Sequence, residues 1–307
     1  MITLFTTTKD FVGQNKINQT NAIKSWLASD YKVHIMLFGR SLGIEVFDKH
    51  PNITILDKVK TSDTGVPVIN YMFDVASKLS TYPICCFLNA DIILTKQFFD
   101  DILTIHQKLK RSYLVVGQRL DVDVSELLEF SHEWEESFKL KYQSKMQIHP
   151  PYGSDFFVFP KGQYTEANLP PMLVGRLAWD NYMIYDARKK RIKLIDLSKS
   201  NMVIHQNHDY SHKPKDEKQK ELDEKYNFQF FPSDENAQLY LLDFCSYFLK
   251  NKSLKKNYCE KDWDKYYLRS MKFDGVSFWD RLKIRLEVRF LKYKEKIIKI
   301  LKIKTLI

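Results

Sequence analysis

The stretch ICCFLNADIIL, at residues 84–94, contains the clearest indication of the fold. Residues 84–88 are all apolar, without the polar alternation of a half-exposed strand, which is typical of a strand buried on both faces. Asp91 follows this strand almost directly and precedes a second apolar run at residues 92–94. The stretch therefore predicts a central sheet strand that ends in an acidic residue.

The sequence on either side of this stretch alternates between strand-like and helix-like patterns. Helical spacing of apolar residues covers 18–27, 66–79 and 96–109, and a helix is also expected from residue 182 to residue 189. Strand-like segments cover 2–8, 33–38, 53–56 and 113–117. Repeated strand–helix–strand units predict an α/β fold in which helices cover a mostly parallel sheet.

The character of the chain changes after residue 212. Residues 212–226 are dense in charge and predict a solvated helix or linker, whereas residues 234–250 have apolar residues at helical spacing. We therefore expect a first domain at 1–212, a helical extension at 213–277 and a basic amphipathic helix at 278–307.

The net charge of +10 is concentrated at the carboxyl end. Residues 281–307 contain ten Lys or Arg and two Glu, a charge of +8, which leaves +2 for the other 280 residues. A nucleic-acid-binding domain usually carries a basic patch on its folded face, so no nucleic-acid partner is expected for the body of the chain. The tail alone could attract phosphates.

Composition predicts where the protein is found. The chain has no run of 18 uncharged apolar residues, and its first ten residues do not resemble a cleavable signal. Four cysteines, two of them the neighbours Cys85 and Cys86, form no disulfide framework. We expect a cytoplasmic protein with reduced thiols.

Asp91 is the first candidate for a functional residue. In an open α/β sheet, ligands bind beyond the carboxyl ends of the strands. A carboxylate between two apolar runs is costly to bury unless it meets a cation or several donors. Asp91 could instead cap the helix that starts near Lys96, although Thr95 is better placed to do so.

Two later segments contain further acidic candidates. Asp155 ends a polar turn, residues 149–155, before the strand-like residues 156–160. Asp180 stands at the amino-terminal end of the helix expected from residue 182. There a carboxylate could simply cap the helix, because free N–H groups and the helix dipole stabilise it.

The densest polar cluster is HQNHDYSH at residues 205–212. It contains His205, His208, Asp209 and His212 just after a strand-like segment. Structural zinc requires four ligands and no cysteine is near, so a zinc knuckle is disfavoured. A histidine that completes a carboxylate metal site fits the cluster better.

Taken together, Asn89-Ala90-Asp91, Trp179-Asp180-Asn181 and the histidine cluster resemble a glycosyltransferase of the GT-A (Rossmann-like) fold. The similarity covers residues 1–212 and is to the family-two-like enzymes with which bacteria build surface polysaccharides such as capsule. The resemblance implies a nucleotide-sugar donor, with UDP types favoured, and a divalent cation, Mn²⁺ or Mg²⁺. It also implies a saccharide or lipid-linked acceptor.

The resemblance also implies roles for particular residues. Asp91 matches the metal-binding acid, Asn89 replaces the first acid of the family's Asp-x-Asp motif, and His205 or His208 would supply the second metal ligand. For an inverting transfer, Asp180 matches the general base, with Asp155 in reserve. The remaining donor-binding candidates are Thr6, Thr7, Asp63 and Gly65.

Other function classes remain as alternatives. A sugar nucleotidyltransferase shares the layout, but it should have a glycine-rich basic loop after the first strand. Residues 8–13 contain one Gly and one Lys. A non-catalytic glycan-binding or nucleic-acid-binding protein is the other alternative.

Apolar residues in the tail recur with helical spacing. They are Trp279, Leu282, Leu286, Phe290, Tyr293, Ile297 and Leu301. Basic residues flank this stripe, as expected for a helix that lies on an anionic membrane surface. We therefore predict a peripheral protein on the inner face of the cell membrane, although the stripe could instead pack on the catalytic domain or another subunit.

Overall fold

The computed structural model describes residues 1–151, 154–208, 217–231, 242, 245–257, 279, 282, 286, 289, 290 and 293. The helices are α1 (Gly13–Leu27), α2 (Ile69–Leu79), α3 (Lys96–Leu109), α4 (Trp134–Tyr142), α5 (Trp179–Lys189) and α6 (Glu217–Phe228). The first strands are β1 (Ile2–Thr7), β2 (Val33–Phe38), β3 (Ile53–Leu56), β4 (Ile84–Leu88), β5 (Ile92–Ile93), β6 (Tyr113–Val116) and β7 (Arg119–Val122). They are followed by β8 (Gln147–Ile148), β9 (Phe156–Pro160), β10 (Lys193–Asp196), β11 (Val203–Gln206), β12 (Tyr247–Lys250) and β13 (Ser253–Lys256).

Nine strands form the main sheet, in the order β13-β12-β10-β6-β9-β4-β1-β2-β3. Seven of them run parallel, while β9 is antiparallel to β4 and β6, and β13 is antiparallel to β12. Every residue of β4 and β9 is buried, because helices and loops cover both faces of the sheet. The predicted α/β class with a mostly parallel sheet is confirmed.

A second sheet of four strands, in the order β5-β11-β7-β8, lies beside the carboxyl end of β4. In it β11 is antiparallel to β5 and parallel to β7. Ile92 is the register partner of His205, and Asp121 is the partner of His205 on the other side. The second sheet thus brings three distant parts of the chain to the end of β4.

Buried amide groups join α1 to the second sheet. The Gln206 side-chain amide donates to the main-chain carbonyls of Asn18 (2.8 Å) and Asp91 (3.0 Å). Asn21 donates to the Gln206 side-chain oxygen at 3.0 Å, and Trp26 donates its indole N–H to the Ile92 carbonyl at 2.8 Å. Because these polar groups are buried and paired, they fix the backbone on both sides of Asp91.

The structure corrects several predicted elements. Residues 247–250, predicted as the end of a helix, form β12, which pairs with β13 and extends the main sheet. The predicted helical extension therefore contains a strand hairpin. Helix α1 begins five residues before its predicted start, and α2 begins at Ile69 because Pro67 and Val68 form isolated bridges instead.

Residues Met1–Lys256 form one compact unit and Asn257–Ile307 a second. The first unit includes α6, β12 and β13, which follow the predicted catalytic domain at 1–212. None of the described helices is both long and apolar enough to cross a bilayer.

Candidate functional site

A cavity of about 530 Å³ opens where β1 and β4 end. It is lined by Thr6, Thr7, Lys9, Asn15, Asn18, Gln19, Arg119, Asp155, Trp179, His205, His208 and residues 64–67, 89–91 and 174–176. The structure thus brings together eight of the predicted site residues, namely Thr6, Thr7, Gly65, Asn89, Asp91, Asp155, His205 and His208. Asp63 and Asp180 lie outside the lining, and Asp63 is exposed to solvent.

Asp91, His205 and His208 form one corner of the cavity, which we call the metal corner. One ligand atom from each lies within 4.8 Å of the others. Asp91 Oδ2 is 3.0 Å from His208 Nε2 and 3.8 Å from His205 Nε2. Asp209 and His212, the other acidic residue and histidine of the predicted cluster, lie outside the described residues.

The other oxygen of Asp91, Oδ1, is buried and has no hydrogen-bond partner within the described residues. Burial raises the pKa of this carboxyl, but the His208 hydrogen bond and the charges of His205, His208 and Lys9 outweigh it and lower the pKa below its ordinary 3.8. A charged and partly unpaired carboxylate at such a depth is costly unless it meets a cation. One carboxylate and two imidazoles are a ligand set for a divalent cation that accepts nitrogen as well as oxygen donors.

Asp121 stands behind the metal corner, on β7. Its Oδ1 is 3.0 Å from His205 Nδ1, although the two groups are not aligned for a hydrogen bond, so the contact is electrostatic. His149 Nδ1 is 2.6 Å from Asp121 Oδ2. Burial raises the pKa of the Asp121 carboxyl, but His149, Arg119 and His205 lower it overall. The charge of Asp121 thus lies beside His205 Nδ1, while His205 Nε2 faces Asp91.

Arg119 links Asp121 to Asp155 across the cavity wall. Its Nε donates to Asp121 Oδ1 at 2.8 Å and its Nη1 to Asp155 Oδ2 at 2.7 Å. The second oxygen of Asp155 accepts a hydrogen bond from the Asn89 side-chain amide at 2.7 Å. Both oxygens of Asp155 are therefore engaged, and this carboxylate holds Arg119 and Asn89 in place.

Asp180 lies in the first turn of α5, directly after the lining residue Trp179, and we call this pair of residues the base corner. Its carboxylate accepts main-chain N–H groups from Asn181, from Asp180 itself and from Ser154. Burial, with a smaller contribution from the charge of Asp155, outweighs these bonds and raises the pKa of Asp180 to about 6. A carboxyl with this pKa exchanges protons near neutral pH.

The backbone just before the base corner is strained. Ala178 has a φ of +75°, a left-handed conformation that costs a residue with a Cβ about 1–2 kcal/mol. Trp179 follows, and its ring packs against Phe87 and Phe157 with centroids 5.1 Å apart in each case. Strain of this kind concentrates at functional sites, where the surrounding packing maintains it.

The charged residues that escaped the sequence interpretation are Lys9, Arg119 and Arg176 in the lining and Asp121 behind it. Lys9 follows β1 closely, and its backbone is fixed by Gln19, whose side chain accepts from Lys9 N–H at 2.7 Å and donates to its carbonyl at 2.9 Å. Arg119 and Asp121 occupy alternate positions of β7, so their side chains share a face. This alternation of charged residues is the sequence pattern that could have identified Arg119 and Asp121 as site residues.

No protein-family model and no curated protein matches the sequence. Solved structures of S. aureus TarS are similar to this chain. Residues 1–349 of TarS with UDP-GlcNAc align with a TM-score of 0.49 and 9% identity, over 80% of this chain and 70% of that one. The same fragment with UDP aligns with a TM-score of 0.46 and 11% identity, over 80% and 69%. At these values the side chains of the site, rather than the similarity, must identify the chemistry.

Proposed function

We propose that this protein is a metal-dependent, GT-A-type glycosyltransferase that moves a sugar from a nucleotide-sugar to a saccharide or lipid-linked acceptor. The observation that carries the proposal is the metal corner, where Asp91, His205 and His208 converge around an unpaired carboxylate oxygen at the end of a central strand. We further propose a family-two-like enzyme of surface polysaccharide or capsule synthesis, with its catalytic domain at 1–212 and the extension at 213–277.

The cavity has the size and charge that a nucleotide-sugar requires. Its volume of about 530 Å³ lies within the range of small-molecule sites. Lys9, Arg119 and Arg176 line it and attract a diphosphate. A divalent cation, Mn²⁺ or Mg²⁺, held by Asp91, His205 and His208 would neutralise the diphosphate and stabilise the leaving nucleotide.

We assign the remaining donor contacts by position. Thr6 and Thr7 end β1 and would meet the nucleobase. Gly65 and Asn89 also line the cavity, and Asp63 would reach the ribose from the neighbouring loop. A UDP-type donor is favoured, because the family resemblance of the motifs implies it.

Asp180 is the proposed general base of an inverting transfer. Its pKa of about 6 leaves it ionised at neutral pH and able to take the proton of an acceptor hydroxyl. The hydroxyl oxygen then bonds to the anomeric carbon as the bond to the diphosphate breaks. Asp155 is the reserve candidate, but Arg119 and Asn89 already engage both of its oxygens.

A hydrolysis assay with a panel of nucleotide-sugars tests the proposal. With Mn²⁺ or Mg²⁺ the protein should release nucleoside diphosphate from at least one donor, and EDTA should stop the reaction. His208→Ala should abolish the release, whereas the matched control His132→Ala, at an exposed residue, should not. Release of a nucleoside triphosphate from donor and pyrophosphate would instead identify a sugar nucleotidyltransferase. Binding without turnover would indicate a non-catalytic glycan-binding relative.

We also propose that the tail attaches the protein to the anionic inner face of the cell membrane. What supports this is that Trp279, Leu286, Phe290 and Tyr293 are each helical and exposed. Leu282, also in the predicted stripe, is helical and half-buried, while Ile297 and Leu301 lie outside the described residues. Leu286→Ser with Phe290→Ser in the full chain should abolish co-sedimentation with anionic vesicles, whereas Leu140→Ser, at an exposed leucine of α4, should not. Equal binding to neutral vesicles would contradict an anionic partner.

A further inference from the structure

Helix α6 lies outside the predicted catalytic domain, yet it contacts the wall of the cavity. Its sequence is dense in charge and predicted a solvated helix or linker. Asp223 and Asn227 are nevertheless buried, with 4% and 0% of their surface exposed. They stand four residues apart and therefore share one face of the helix. Buried polar side chains on a surface helix require partners, and each of these two residues has a partner in the segment 173–177.

Asn227 holds the backbone of that segment. Its side-chain oxygen accepts the Leu173 N–H at 2.8 Å, and its side-chain amide donates to the carbonyls of Leu173 and Leu177 at 3.1 Å each. Residues 174–176, which line the cavity, lie between these attachment points. One buried amide on α6 thus fixes both ends of this part of the cavity wall.

Asp223 holds the side chain of Arg176. Arg176 Nε donates to Asp223 Oδ2 at 2.6 Å, and Gln219 donates to Oδ1 at 2.8 Å. Both carboxylate oxygens are thereby engaged, and the guanidinium is oriented by a buried ion pair. A guanidinium has four N–H donors besides Nε–H, arranged in a plane that matches phosphate oxygens.

We propose that α6 is part of the donor site: Arg176 contacts the phosphates of the nucleotide-sugar, and Asp223 and Asn227 are positioning residues for it. The inference rests on the proposed function, because the phosphates belong to that donor. A guanidinium whose orientation is fixed before binding loses less conformational entropy when it binds. The helix that the sequence places beyond the catalytic domain would thus contribute to donor affinity.

Calorimetry with the full-length protein and Mn²⁺ separates this role from a purely structural one. The ligands are UDP, GDP, ADP, CDP and dTDP, each compared with its nucleoside, which lacks phosphates. For the diphosphate that binds, Arg176→Ala should weaken binding about 10–100-fold, because a charge-assisted hydrogen bond is lost. Asp223→Asn should weaken it about 3–10-fold. Neither change should alter nucleoside affinity.

Two further variants keep the outcome interpretable. Arg176→Lys retains the charge without Nε and should fall between the alanine variant and the unaltered protein. Leu222→Ala, at an exposed position of the same helix, is the matched control and should bind normally. If Arg176→Ala binds the diphosphate as the unaltered protein does, or if it weakens diphosphate and nucleoside equally, the inference is wrong and the proposed function stands. If the unaltered protein binds none of the diphosphates, both are wrong.

Discussion

The metal corner and the base corner each place an aspartate at the same edge of the sheet, but their surroundings shift the two pKa values in opposite directions. At Asp91 two histidines and Lys9 lower the pKa. At Asp180 burial raises it to about 6. A metal ligand has to stay ionised, whereas a general base has to exchange a proton near neutral pH. The opposite shifts agree with the different roles that we propose for these chemically identical side chains.

The two corners also differ in how the fold builds them. Asp91 is fixed by a strand end and by pairing between β5 and β11, and the Gln206 amide holds its main chain. Asp180 is fixed by the strained entry into α5 and by main-chain donors. Substitutions that keep the shape but remove the charge should therefore have different consequences at the two corners.

The largest effect is expected at the metal corner. Asp91→Asn keeps the shape but removes the negative charge that a divalent cation requires, so turnover should fall by at least about 10⁴-fold. Turnover with saturating donor and Mn²⁺ measures the loss, and circular dichroism checks the fold. Asp30→Asn, at an exposed aspartate, is the control. Turnover within a few-fold of normal would exclude Asp91 as the metal ligand.

At the base corner, Asp180→Asn should lower turnover by about 10²–10⁴-fold, because proton abstraction is lost. Binding of the diphosphate should stay normal, which distinguishes this variant from Asp91→Asn. In the unaltered protein, turnover should rise with pH through about 6, the pKa of Asp180, since the ionised form is the base. A full-activity Asn variant would leave Asp180 only a capping role and make Asp155 the candidate.

A smaller effect is expected one layer behind the metal corner. Asp121→Asn removes the charge beside His205 Nδ1 and should weaken Mn²⁺ affinity by about 10–100-fold. Equilibrium dialysis with Mn²⁺ measures the change without requiring turnover. Asp123→Asn, two residues along at an exposed position, is the matched control. Equal Mn²⁺ affinity in the two variants would show that Asp121 does not orient the histidine.

The sequence predicted those parts of the fold and site that depend on neighbouring residues. The apolar run of β4 revealed the central strand, and its end placed Asp91 at the edge where ligands bind. His205 and His208 were visible because they lie close together in the chain. The structure places all three residues in one cluster.

What the sequence did not predict depends on pairing between distant segments. Asp121 lies beside His205 only because β7 pairs with β11 in one particular register. Asp223 lies in the segment predicted to be solvated, and Asn227 directly follows that segment; the partners of both are some fifty residues away. Residues 247–250 have apolar residues that suit a helix, but pairing with β10 and β13 makes them a strand. Such tertiary contacts override local preference.

The smallest effect is on stability, and it tests whether Asp180 is shaped for catalysis or for capping. The folded pKa of about 6 exceeds the ordinary 3.8, so between these values the folded protein binds more protons than the unfolded chain. The contribution of this carboxyl to the free energy of unfolding therefore falls as the pH rises from about 4 to about 6 and stays low above that. Asp180→Asn cannot ionise and should be more stable than the unaltered protein at pH 7.5 by roughly 1–2 kcal/mol, with no difference below about pH 4. Urea denaturation with EDTA at both pH values measures the difference in the free energy of unfolding. An Asn variant that is less stable at pH 7.5 would mean that the charged carboxylate stabilises the helix, as a cap does. In that case the carboxylate is not held for proton transfer at a cost in stability.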